Sequence, residues 1–146
     1  MTLADYIRPL LGAAVASVWL LMAANTVGGG AQTIAGSDGW QIPALADTES
    51  NPEPDNAVVL AKGQRLYKAK CQRCHGADGL GQGPDADPLH PPANLTDRRM
   101  AARNPDGVMF YKIWNGRSKP KMPAMKVDLT RTDVWMVVRY VKTLRK

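Results

Sequence analysis

The chain has 146 residues, with 19 Lys and Arg against 13 Asp and Glu and a formal net charge of +6. A single Phe and an aromatic share of 6% rule out a core built on aromatic bulk alone, and two Cys with two His count against a zinc site, which takes about four ligands. The basic balance would suit nucleic acid, an anionic membrane or an acidic protein partner, but no nucleic-acid motif or stacking platform accompanies it, so nucleic acid drops out.

In chain order, the first predicted element is apolar. From Pro9 to Ser37 no side chain is charged. As a helix, residues 9–24 would span about 24 Å, and continuation through Val27 approaches the roughly 30 Å hydrocarbon core of a bilayer. Pro9 suits the first turn of such a helix. Asp5 and Arg8 flank it, a weak orientation signal. Two readings compete: a cleaved secretory signal and a retained signal anchor. Gly29-Gly30-Ala31 offers small residues for cleavage, whereas Ala44-Leu45-Ala46 lies too far beyond the apolar run. The expectation is a retained single-span transmembrane anchor over residues 1–27. Residues 28–55 then read as an extended linker. Gly28-Gly29-Gly30 is a flexible break, and Pro43, Pro52 and Pro54 among polar residues argue against packing. Trp40 and Ile42 stand out there, as docking contacts or as incidental residues.

Residues 56–146 read as a folded, all-α domain. Val59, Leu60, Leu66 and Tyr67 recur at near-helical spacing between Asn56 and Lys70, with Asn56 or Asp55 as cap. Gly63 inside that helix costs about 1 kcal/mol relative to Ala, which a close approach by a second helix would explain. Next comes Cys71-Gln72-Arg73-Cys74-His75, the C-x-x-C-H pattern of covalent c-type haem attachment. Two thiols at this spacing add to the two vinyl groups on one porphyrin edge, and the adjacent imidazole reaches the iron. A thioredoxin-like use of the two Cys would need βαβ patterning, and none surrounds them. Gly76, Gly79, Gly81 and Gly83 permit a tight loop around a flat ligand. Asn104-Pro105-Asp106 reads as a helix start with Asn as the cap, running through Val108, Met109, Phe110, Ile113 and Trp114 to a stop at Asn115-Gly116. Thr130 and Asp133 resemble a capping box. It opens a last helix from Arg131 to Leu144, with Val134, Val137, Val138, Val141 and Leu144 on one face and Trp135 and Tyr140 extending it. Basic residues are dense from Arg98 to Lys146; they form either a solvated face or a field that steers an acidic redox partner.

A low-spin haem needs a sixth ligand. Met100, Met109, Met122, Met125, Met136 and His90 are the candidates. Met109 and Met136 lie within predicted helices and read as core. Met122 sits in Lys121-Met122-Pro123-Ala124-Met125, in an extended stretch between helices that Pro123 keeps from becoming helical. Met125 is its rival.

Lys62-Gly63, Tyr67, Cys71 to Gly83, Pro91 to Thr96, Asn104 to Met125 and the closing helix together resemble a bacterial class I c-type cytochrome, over about Asn56 to Lys146. The resemblance implies an all-α class I cytochrome c fold, one covalent haem c, and an exported domain. It implies that Met122 and His75 ligate the iron, with Met125 where the family carries an aromatic. It also implies that a prolyl carbonyl, at Pro91 or Pro92, accepts a hydrogen bond from His75, and that Gly63, Tyr67 and Tyr140 mark a crossing of the first and last helices. The tail resembles monohaem cytochrome subunits of quinol-oxidising respiratory or photosynthetic complexes. The expectation is therefore an electron carrier, not itself an enzyme, with the haem domain on the periplasmic side of the cytoplasmic membrane and redox proteins of a membrane complex as partners. The alternatives are a cytochrome subunit of a periplasmic dehydrogenase and an open-site haem enzyme or sensor.

Overall fold

In chain order the elements are β1 (Thr33–Ala35), β2 (Gln41–Pro43), α1 (Ala57–Lys70), α2 (Gln72–His75), α3 (Arg98–Arg103), α4 (Asp106–Asn115) and α5 (Arg131–Thr143). A computed structural model describes residues 39–145 together with the backbone of β1. The expected anchor over residues 1–27 lies outside the described residues. Among those described, no helix is long and apolar enough to cross a membrane.

Helix α1 starts where the sequence places it. Asn56 has an extended backbone and its side chain accepts from the Val59 amide at 3.0 Å, satisfying one of the free N–H groups of the first turn. Helix α5 opens with the capping box: the Thr130 Oγ1 accepts from the Asp133 amide, and the Asp133 carboxylate accepts from the Thr130 amide, each at 3.2 Å. Lys62 of α1 lies 2.8 Å from the same carboxylate, which joins the two helices at this end. The Lys62 and Thr130 hydrogen bonds hold the Asp133 carboxyl below the usual carboxylate range.

Helices α1 and α5 cross at Gly63. A Cβ there would overlap the Met136 carbonyl and lie 3.0 Å from Tyr140 Cβ, so only glycine lets the backbones come this close. The Tyr67 and Tyr140 rings meet beside the crossing, with centroids 5.3 Å apart. Under it sit Val134, Val137, Val138 and Tyr67, all less than 2% exposed. Each fully buried valine contributes on the order of 1.5–3 kcal/mol of transfer free energy. Helix α4 adds Met109, Phe110 and Ile113 to this core, and Phe110 stacks on Trp135 at 4.2 Å between ring centroids.

Three expectations change. The stretch 40–51, read as extended linker, packs on the domain: Trp40, Ile42, Ala46 and Val108 form a second buried cluster. Trp40 and Ile42 are thus intramolecular core residues and not free docking contacts. Ala46 lies so close to α4 that a Cβ on Gly107 would overlap its carbonyl oxygen. The buried Asn51 donates from Nδ2 to the Trp135 carbonyl at 2.9 Å, while Arg139 donates to the carbonyls of Glu53 and Asn51. The polar residues that suggested an unpacked tether satisfy their groups against α5 instead. Second, the fold is helical but not purely so, because β1 and β2 pair antiparallel with Ile34 opposite Ile42. Third, Asn104 does not cap α4. Pro105 occupies the cap position, and the Asn104 side chain bridges instead, donating to the Met100 carbonyl at 2.8 Å and accepting from Lys112 at 2.9 Å.

Candidate functional site

The end of α1 delivers the first thiol. Cys71 caps α1 and begins the turn of α2; its carbonyl accepts from the amides of Cys74 at 3.2 Å and His75 at 2.9 Å. Cys71, Cys74 and His75 are half-buried, and both cysteines are free thiols. Burial, with Cys74 as the second cause, pushes the Cys71 thiol up to about 12, so it is protonated at neutral pH.

A helix of four residues has no carbonyl partners of its own to spare, and the loop that follows supplies them. The carbonyls of Arg73, Cys74 and His75 accept in turn from the amides of Asp85 at 2.8 Å, Gly83 at 3.0 Å and Gly81 at 2.8 Å. A Cβ on Gly83 would overlap the Arg73 carbonyl, and one on Gly81 would overlap that of Pro92. The glycines therefore let the loop lie flat against the motif. The Arg73–Asp85 ion pair, at 2.7 Å, closes the same zipper at the surface. From beneath, the buried Tyr67 hydroxyl donates to the Gly76 carbonyl at 2.7 Å. Burial, with Cys71 next, raises the Tyr67 phenol above its ordinary value, so it stays a donor.

His75 Nδ1 lies 3.3 Å from the Ala93 carbonyl oxygen. An oxygen acceptor requires the proton on Nδ1, which leaves Nε2 with its lone pair free. Burial lowers the imidazole pKa, opposed by the Ala93 bond, and so favours the neutral ring that a metal needs. This corrects the expectation for Pro91 and Pro92: neither carbonyl is the partner of His75. The doubled proline shifts the register by one or two residues, and Ala93 takes the position.

The methionines separate clearly. Met109 is buried in α4 with its sulfur accepting from Arg145 at 2.8 Å, and Met136 is half-buried in α5 with its carbonyl against Gly63. Met100 is half-buried in α3, and His90 is exposed beside Asp87 at 3.2 Å. Met125 is 8% exposed within the main core, in a short 3-10 turn. Met122 is half-buried, packs against both clusters, and borders an open cleft also lined by Asn115, Arg117, Lys121 and Pro123. Cys71 and Met122 both edge the main core.

Two thiols on one turn, a neutral imidazole with a tied Nδ1, and a thioether, Met122, half-buried against the same core as Leu66, Leu95 and Leu144 form a donor set and lining that fit a covalent haem. Among the described residues no group of three or more His, Cys, Asp and Glu could hold a metal ion. Sequence reasoning missed the Tyr67–Gly76 bond, the Ala93 carbonyl and the Arg73–Asp85 clasp; only the Tyr, by its place one turn ahead of Cys71, left a trace in the sequence. Several of the basic residues also serve the fold: Arg131 pairs with Glu49 and Lys142 with Asp106.

A family model described as cytochrome c matches residues 60–145. Among curated proteins, a thiosulfate dehydrogenase of Stutzerimonas stutzeri (strain A1501) is 37% identical over 108 residues, covering 72% of this chain and 33% of that protein. A thiosulfate dehydrogenase of Thiomonas intermedia (strain K12) is 44% identical over 41 residues, 28% of this chain and 13% of that protein. The chain thus spans a third or less of the curated relatives it matches. Among solved structures, cytochrome cL from the marine methylotroph Methylophaga aminisulfidivorans superposes with a TM-score of 0.53 at 22% identity, covering 83% of this chain and 72% of that one. A chain of the Kuenenia stuttgartiensis reducing HAO-like protein complex gives 0.54 at 23% identity, with coverages of 65% and 47%. At these identities the likeness is one of fold.

Proposed function

The chain belongs to the cytochrome c family and carries haem c covalently, and on that premise we propose that it is a single-haem electron carrier held at the outer face of the cytoplasmic membrane by residues 1–27. When bound, the group supplies one-electron chemistry at its iron. Cys71 and Cys74 fix one edge through thioether bonds. His75 would hold the iron through Nε2, its ring oriented by the Ala93 carbonyl at Nδ1. Met122 would hold the iron as the second protein ligand, and its neutral thioether would favour the ferrous state. The glycine loop ties the motif through three backbone hydrogen bonds, to Arg73, Cys74 and His75.

The observation that carries the reading is the tied His75 next to two free thiols on one helical turn. The choice of Met122 over Met125 rests on burial: Met122 is half-buried, whereas Met125 is committed to the core. Met122→Leu is expected to abolish the weak red-edge band of methionine-ligated ferric haem and to let the ferrous form bind carbon monoxide. Met125→Leu should keep the band. The reverse pattern would transfer the ligand role to Met125.

The anchor rests on the uncharged run from Pro9 to Ser37. In fractionated cells the haem should stay with membranes after a high-salt wash and leave only with detergent. Recovery in the soluble exported fraction would overturn the anchor and leave the carrier reading intact. The wider setting is a respiratory or photosynthetic electron-transport complex. A second reading, the cytochrome subunit of a periplasmic dehydrogenase, is favoured by the curated relatives, both of which are named thiosulfate dehydrogenase. The proteins recovered with the haem in detergent discriminate the two.

A further inference from the structure

Met122 is held by residues that lie outside the haem-attachment motif. Its backbone pairs with Arg117 in both directions: Met122 donates to the Arg117 carbonyl at 2.8 Å, and Arg117 donates to that of Met122 at 2.9 Å. Gly116, at φ +58, makes this return possible, since a Cβ there would overlap the Met122 carbonyl oxygen. The Arg117 Nε also donates across the turn to Pro120 at 3.1 Å. The turn itself, Ser118 to Lys121, is exposed.

What braces this turn is the segment 40–51. The Arg117 guanidinium lies 4.5 Å from the centroid of the Trp40 ring, and the Lys112 ammonium lies 5.3 Å from it. Met122 packs against the cluster of Trp40, Ile42, Ala46 and Val108. Trp40 is 7% exposed and Ile42 is 3% exposed, so this is interior contact. The segment is itself fixed to α4 at Gly107 and to α5 through Asn51 and Arg139.

We infer that residues 40–51 act as a strap that positions the sixth ligand, with Trp40 as the positioning residue that clamps the Arg117–Met122 turn to the domain. This rests on the reading of Met122 as the iron ligand. A thioether bond to ferric iron is weak, so its occupancy depends on how well the protein holds the sulfur in place. The turn closes on itself through the Arg117–Met122 and Arg117–Pro120 hydrogen bonds, and the Arg117–Trp40 cation–π contact joins it to the segment 40–51. Loosening it frees Met122 to yield to an outside ligand without altering the covalent attachment at Cys71 and Cys74.

The test uses full-length holoprotein carrying Trp40→Ala, Trp40→Phe or Arg117→Gln, with Met122→Leu as reference. The readouts are imidazole binding to the ferric form and the pH at which the red-edge methionine band disappears. Trp40→Ala should bind imidazole about tenfold more tightly and lose the band at lower pH, Arg117→Gln should move the same way, and Trp40→Phe should lie between Trp40→Ala and the parent. If Trp40→Ala does not fold, the other two carry the test, since each leaves a filled site. Parental imidazole affinity and band in all folded variants, with the band gone in Met122→Leu, overturns the strap and leaves the ligand assignment standing. A band that survives Met122→Leu overturns the ligand assignment and the strap with it.

Discussion

The double variant Cys71→Ser, Cys74→Ser is expected to carry no covalent haem. Its intact mass should equal the polypeptide alone, and acidified organic solvent should extract all of any haem that remains. Each single variant should keep one thioether and a weakened hold. The reason is chemical: a serine hydroxyl does not add to the vinyl groups, and no other cysteine in the chain can substitute. The structural consequence follows from the lining. Leu66, Cys71, Leu95, Met122 and Leu144 edge the main core half-buried. Without the ligand those apolar faces meet water at about 25 cal/mol per Å². The helical signal should therefore fall along with the haem content. Normal covalent holoprotein from the double variant would refute the site.

The second large effect is expected at the crossing of α1 and α5. Gly63→Ala removes a helix-propensity penalty of about 1 kcal/mol, so an exposed glycine in its place would be improved. Here the new methyl overlaps the backbone carbonyl of Met136, within the interior of α5, and backbone cannot step aside as a side-chain tip can. Overpacking of this kind costs about 1–3 kcal/mol and sometimes more. The net range is about 0–2 kcal/mol, and because the overlap is with backbone, Gly63→Ala is expected near its upper end, about 2 kcal/mol, with Gly63→Val destabilised by more than about 3 kcal/mol. Urea unfolding of the holoproteins, followed by helical signal, measures both. An alanine variant more stable than the parent by the full propensity gain of about 1 kcal/mol would show that the helices can separate without cost.

Much of this was legible in the residues. The attachment motif, the Asn56 cap, the Thr130–Asp133 box and the close approach at Gly63 are local signals with local causes, and each is found where the sequence puts it. The misses share a physical origin. Pro91 and Pro92 fit the expectation by residue type, but the hydrogen bond to His75 is made by a backbone carbonyl, which every residue has; only the three-dimensional register selects Ala93. Asn104-Pro105 has the composition of a cap, yet the Asn104 side chain finds Met100 and Lys112, a choice settled by tertiary contact. The stretch 40–51 looks unpackable because proline and polar residues report local propensity. Its burial depends on Arg139, Arg117 and Trp135, more than sixty residues away in sequence.

The strap also redraws the limits of the domain. Likeness to the family begins at residue 60, whereas packing against the domain is already present at Trp40. A fragment cut at Ala57 would keep every haem-binding residue and still be incomplete. It would bare Val108, leave Arg139 without two acceptors, and open a trough over Gly107 where the Ala46 backbone had lain. Grafting this domain onto another protein would therefore require carrying the upstream segment along with it.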